Sequence, residues 1–154
     1  MGLFDYPTGP SKEDVPVEEV SFLEDFGEAE WRKILSIVET RHFQAGDELV
    51  RLGEEDDSFY ILSSGSAELL IRDKDGQWRS LSVIPEGSVV GEVAFFDHGP
   101  RSGTIRAREK GTAIRVTRKN FEHLAAWEPV LARHVLMALG KVLAFRLRWL
   151  TTRI

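Results

Sequence analysis

Apolar and polar positions alternate in three different ways along the chain. Between residues 28 and 39, Trp31, Ile34, Leu35 and Val38 recur at steps of three, one and three, which predicts a helix over Glu28–Glu39 with Glu28 and Glu30 near its positive end. Upstream, Val20, Phe22, Leu23 and Phe26 suit a short amphipathic helix over Val17–Asp25, while residues 1–16, with Pro7, Gly9, Pro10 and Pro16, read as a flexible tail. From residue 40 the period drops to two. Thr40–Phe43, Glu48–Arg51, Ser58–Leu62, Ala67–Arg72, Ser80–Ile84, Thr104–Ala107 and Thr112–Thr117 read as strands, separated by glycine-bearing turns such as Ala45-Gly46-Asp47, Ser64-Gly65 and Pro85-Glu86-Gly87. Short strands at this spacing predict a sandwich or jelly-roll-like barrel at about 40–117. Helical periodicity then returns over about 118–151. Arg118–Ala125 turns Phe121 and Leu124 inward, and Pro129 fits the first turn of a long final helix. Residues 17–154 thus form one α+β domain.

That last helix carries two stripes. Leu131, Val135, Ala138, Val142, Phe145 and Trp149 recur at steps of 4, 3, 4, 3 and 4, a heptad seam; Leu136, Leu139, Leu143, Leu147 and Leu150 lie beside it. Either the seam pairs with a second copy, giving a homodimer that Val142→Glu would split without unfolding, or one wide apolar face docks on the barrel.

Composition narrows the classes. The 154 residues contain no Cys, which excludes disulfide frameworks, thiol catalysis and cysteine zinc sites. The net charge of −5 hides an asymmetry: residues 1–100 carry 8 basic and 22 acidic side chains, residues 101–154 carry 12 and 3. Surfaces of opposite sign are expected, with an acidic protein surface as partner for the basic half. No basic and apolar leader opens the chain, Tyr6 stands where a myristoylation signal needs Ser or Thr, and Val130–Leu150 is interrupted by Arg133, Lys141, Arg146 and Arg148. These features predict a cytoplasmic protein without a membrane span. The four histidines form no metal-ligand spacing, Ser63, Ser64 and Ser66 lie outside any nucleophile elbow, and Glu54-Glu55-Asp56-Asp57 reads as a solvated turn.

Chemistry concentrates in Val89-Val90-Gly91-Glu92-Val93-Ala94-Phe95-Phe96-Asp97-His98-Gly99-Pro100-Arg101-Ser102-Gly103-Thr104. Gly91 and Ala94 are small enough to let backbone amides approach a ligand, and a short helix from Glu92 would aim free N–H groups at an anion. Arg101 offers a fork that matches phosphate oxygens. Glu92 would repel a phosphate, so it needs a separate donor, for which a sugar hydroxyl suffices. Glu92 and Arg101 could instead pair with each other as a structural ion pair, and His98 reads as a loop residue.

This segment resembles the phosphate-binding cassette of the cyclic nucleotide-binding domain family, roughly F-G-E-L-A-x(4–5)-P-R-x-A-T. The likeness extends to His42–Asp47, Arg51-Leu52-Gly53-Glu54, Asp57–Leu62 and Pro85-Glu86-Gly87, and covers about residues 31–150. It departs at Val90, Val93 and Gly103. The resemblance implies an eight-stranded, jelly-roll-like β-roll with N-terminal helices, a short cassette helix and a long C-terminal helix. It implies that Glu92 accepts the ribose 2′-OH and that Arg101 pairs with the phosphate, with Gly91, Val93, Ala94, Ser102 and Gly103 completing the cradle. Arg146 and Trp149, with Phe145, are the candidates for closing over the base. The expected ligand is cAMP or cGMP, with no other cofactor and no catalysis. Only five residues follow Trp149, too few for a DNA-reading motif, so a sensor that signals to an unidentified protein effector by moving its C-terminal helix is expected. The alternative is a scaffold: a constitutive dimer with a vestigial pocket.

Overall fold

The computed structural model describes residues 25–152, so the expected tail and all but the last residue of the expected helix over 17–25 lie outside the described residues. The elements are α1 (Glu28–Leu35), β1 (Glu39–Phe43), β2 (Glu48–Val50), β3 (Phe59–Ser64), β4 (Ala67–Arg72), β5 (Trp78–Ile84), β6 (Val89–Val90), α2 (Glu92–Asp97), β7 (Thr104–Ala107), β8 (Gly111–Val116), α3 (Arg118–Trp127) and α4 (Pro129–Thr151). The strands form two antiparallel four-stranded sheets, β1-β8-β3-β6 and β2-β7-β4-β5.

Apart from its exposed edge strand β1, the first sheet is buried on both faces, and β3 shows how. Tyr60 and Leu62 face the space between the sheets with Phe43, Val50, Ala67, Ile84 and Ile105. Phe59 and Ile61 point the other way, into a second core made with Phe95, Phe121, Leu131, Val135, Leu139 and Val142. Strict alternation along a strand is what sends neighbours to opposite sides. The helices therefore cover the outer face of the first sheet, while the second sheet closes the roll.

Three expectations change. α1 ends at Leu35, so Ile34 is buried while Leu35 turns outward; the chain must leave the helix to enter β1 at Glu39. The two-residue β6, too short to show a period, pairs with β3 through Tyr60 and Ile61. The heptad stripe of α4 is no free seam. Leu131, Val135, Ala138 and Val142 are all buried in the helix-side core, so the wide-face alternative holds for the first four turns. Val142→Glu would thrust a carboxylate into that core and unfold the domain rather than split a dimer.

On this packing, Leu139→Ala, at a fully buried position, should lose about 2–5 kcal/mol. Met137→Ala, two residues away and 66% exposed, should stay within about 0.5 kcal/mol of wild type. Urea unfolding of the two variants checks the orientation of α4 directly.

Candidate functional site

Two stretches distant in sequence are clamped together to make the site. The Gly53 amide donates to the Arg101 carbonyl at 2.8 Å, and the Arg101 amide returns a bond to the Glu54 carbonyl at 2.9 Å. One step further, the Leu52 amide donates to the Thr104 hydroxyl at 3.0 Å. The loop before β3 thereby fixes the segment that leads into β7.

Arg101 is 4% exposed, an unusual place for a guanidinium. Nη1 donates to the Gly91 carbonyl at 2.8 Å, and Nη2 donates to the Ser58 carbonyl at 2.6 Å, with Asp56 Oδ2 3.4 Å away. Its Nε is buried without a hydrogen-bond partner among the described residues. Gly91 makes this arrangement possible: its φ is +83°, and a Cβ there would lie 2.6 Å from Arg101 Nη1. Asp56 is set by the Ser58 amide at 3.0 Å and the Ser58 hydroxyl at 2.8 Å, and Arg115 Nη2 approaches it at 3.2 Å. Burial raises the Asp56 pKa, but the Ser58 bonds and the guanidinium groups of Arg101 and Arg115 outweigh it, so the carboxyl lies below its ordinary range. The acidic run at 54–57 is thus no solvated turn at Asp56, whose side chain is 16% exposed.

Glu92 opens α2 and is 5% exposed. Its partner is not Arg101. Arg146 of α4 donates from Nη1 to Glu92 Oε1 at 2.6 Å and from Nη2 to the Val89 carbonyl. α2 is anchored from its other side by Phe95, whose ring meets Phe59 at 4.9 Å and Phe121 at 5.4 Å, both edge-on. Arg118 of α3 sits 5.4 Å from the Phe95 ring and donates to the Phe95 carbonyl at 2.9 Å. His98 ends α2 with φ of 57°, a left-handed cap more often taken by Gly or Asn.

A cavity of about 450 Å³ lies between this segment, the second sheet and the last turns of α4. Gly91, Glu92, Val93, Ala94, Arg101, Ser102, Gly103, Arg146 and Trp149 all border it, as does Phe145. Arg146, expected over a base, lines the cavity and holds the carboxylate of Glu92. At Gly103 an added Cβ would lie 2.9 Å from Leu69 Cδ1 and 3.0 Å from the Leu70 carbonyl, so glycine suits this backbone better than the Ala of the resemblance. The sequence reading missed Asp56 and Ser58 as the supports of Arg101. It also missed the apolar wall of Leu69, Ile71, Leu81 and Ile84, together with Ser82. Alternation along β4 and β5 held the signal for that wall, whereas nothing in the sequence distinguishes Asp56 from its acidic neighbours.

Because the Asp56 carboxyl is depressed when folded, it stabilises the native state above the ordinary carboxylate range near about pH 4 and loses that contribution as pH falls through the folded value. Asp56→Asn should lower the melting temperature at pH 7 and flatten its decline between about pH 4 and 2. Thermal scans across that range, wild type against variant, measure both.

Comparisons with known proteins agree with the fold and the segment. A family model described as "Cyclic nucleotide-binding domain" matches residues 40–126. A cAMP-dependent protein kinase regulatory subunit from Blastocladiella emersonii is 32% identical over 108 residues, 70% of this chain and 27% of that protein. The cAMP-activated global transcriptional regulator of Salmonella typhimurium is 29% identical over 120 residues, 77% of this chain and 54% of that protein. Among solved structures, the catabolite activator protein of Thermus thermophilus superposes with a TM-score of 0.74 at 27% identity, over 87% of this chain and 61% of that one. The chain thus spans about a quarter and about a half of the length of these two curated relatives.

Proposed function

The chain belongs to the cyclic nucleotide-binding domain family, and we propose that it binds a cyclic mononucleotide, cAMP or cGMP, as a sensor that signals through its C-terminal helix to a partner protein. One observation carries the reading: a buried guanidinium that lines the cavity has a donor, Nε, with no acceptor among the described residues. A buried donor left unpaired costs about 1–3 kcal/mol, which a phosphate oxygen bonded to Nε regains. Glu92 supports the sugar end. A carboxylate has about four acceptor sites, so Glu92 can accept a ribose hydroxyl while Arg146 holds Oε1 or after Arg146 is displaced. Either event acts on α4, because Arg146 is the residue that ties its last turns to the cassette.

Beyond Glu92, Arg101 and Arg146, the polar side chains on the described cavity wall are Ser82, Ser102 and the Trp149 indole. The remainder is aliphatic and aromatic, which favours stacking and burial over reading of base edges. Both purines are therefore expected to bind within about tenfold of one another, 1.4 kcal/mol. Competition of cAMP and cGMP against a fluorescent cAMP analogue tests this; a preference beyond about a hundredfold rejects it. If cGMP wins, Ser102→Ala should narrow the gap.

Calorimetric titration with cAMP and cGMP tests the sensor reading itself, since a scaffold with a vestigial pocket gives no binding heat. Arg101→Ala should weaken binding about tenfold to a thousandfold, from loss of charge-assisted bonds worth about 1.5–3 kcal/mol and up to about 5 where the phosphate is stranded. It should also lower stability, because the Ser58 and Gly91 carbonyls and Asp56 lose their donor. Arg101→Lys keeps a charge for Asp56 without the fork, and separates the two losses. Near-wild-type affinity in folded Arg101→Lys and Arg101→Ala would remove Arg101 from the pocket.

A further inference from the structure

We propose that the outward face of α4 docks an acidic amphipathic helix of a partner protein. While the inner face of α4 is buried, its outer face stays apolar. Val130 and Met137, seven residues apart, are 69% and 66% exposed, and Trp127 at the end of α3 is 75% exposed beside them. Leu136 extends the strip along its margin at 38%, and Leu147, 63% exposed, carries it to the rim of the cavity, which it also lines. With the exposed Gly140 and Ala144, positions 130, 133, 137, 140, 144 and 147 repeat at steps of three and four, which is the spacing a second helix packs against. Large apolar side chains gathered on one exposed face mark an interaction surface.

Charge identifies the occupant. From Pro129 to Thr151 there is no Asp or Glu, while Arg133, Lys141, Arg146 and Arg148 are basic. Arg146 is turned inward to Glu92 and Lys141 is held by Asp25 at 3.2 Å, but Arg133 within the strip and Arg148 beside it stand exposed and make no ion pair with a described residue. A helix with a leucine-like stripe flanked by carboxylates complements both features. A second copy does not: in neither orientation can Arg133 or Arg148 meet a carboxylate of an opposing α4. An anionic bilayer would have to accept the rest of a chain with net charge −5. The edge nearest the amino-terminal side is already taken, since Asp25 holds Lys141 and Glu30 holds His134 at 2.9 Å. What this contact is for rests on the sensor reading; whether it forms does not.

The test is selection from a displayed library of amphipathic helices with randomised flanking charges, panned on the full chain without nucleotide. Enriched sequences should be net acidic, bind more weakly as salt rises, and lose at least tenfold in affinity to Val130→Glu and to Met137→Glu. Both variants should keep wild-type melting and wild-type cAMP titration, so a failure of docking and a failure of nucleotide binding are read separately. Enrichment without acidic bias, or equal binding to Met137→Glu, overturns the proposal. So does a wild-type dimer in sedimentation that Met137→Glu dissociates, which gives the face to a second copy. Selection that succeeds only after removal of residues 1–24 gives it to the chain's own acidic start, and capture by phosphatidylserine vesicles that Met137→Glu abolishes gives it to a membrane.

Discussion

Burial of Arg101 is the constraint around which the rest of this site is arranged. A guanidinium at 4% exposure is tolerable only where its charge and its donors are met. Asp56 supplies the charge, and the Ser58 and Gly91 carbonyls supply acceptors. Each demand fixes a different segment. Ser58 and Asp56 must sit where the chain enters β3, and Gly91 must be free of a side chain. The loop at Gly53-Glu54 must lie alongside Arg101 to pair its backbone. Its Nε has no acceptor among the described residues, and Arg101 itself lines the cavity. On the proposed reading, structure and recognition share this one side chain, which is why substitutions at Arg101 are expected to act on stability and affinity together.

From that fixed point the cassette communicates with the helices by two routes. Phe95 places an aromatic wedge against Phe59 and Phe121, so α2 cannot shift without disturbing the core beneath α3. Arg118 ties the same residue through its carbonyl and ring face. The second route is electrostatic, from Glu92 to Arg146 on the last turns of α4. The first four turns of that helix are set in the core, and the last two border the cavity through Leu143, Phe145, Arg146 and Trp149. Arg146 ties those last turns to the cassette through the Glu92 carboxylate and the Val89 carbonyl.

Much of this was legible because it is periodic or punctuated. Alternation and glycine turns located seven of the eight strands, and the ten-residue step from Gly91 to Arg101 located the cavity's polar end. β6 escaped because two residues carry no period. The stripe on α4 stayed open between a seam and a docked face for a different reason: a helix with apolar residues on several faces gives a heptad from more than one starting point. Only tertiary contacts decide that Val142 faces the core and Met137 faces outward. Asp56 was invisible because its role depends on Ser58 and on two arginines, Arg101 and Arg115, that lie more than forty residues away.

The opposite charges of the two halves are matched in part inside the molecule. Asp56 meets Arg101 and Arg115, Glu68 meets Arg106, Glu39 meets Arg115, Glu92 meets Arg146, and Asp25 meets Lys141. The acidic first hundred residues and the basic remainder therefore act in part as each other's counterions, and the sequence total overstates the field available to a partner. The pairs differ in what they do. Glu39–Arg115 and Asp25–Lys141 have an exposed member and are screened by salt, so each contributes little. Arg101–Asp56 and Arg106–Glu68 are sheltered, and breaking either would strand a buried charge. Glu92–Arg146 is intermediate, one partner nearly buried and the other about a quarter exposed, joining the cassette to the last turns of α4. On the proposed sensor reading, that mixed setting suits a contact that holds as described and yields when a sugar hydroxyl satisfies the one carboxylate.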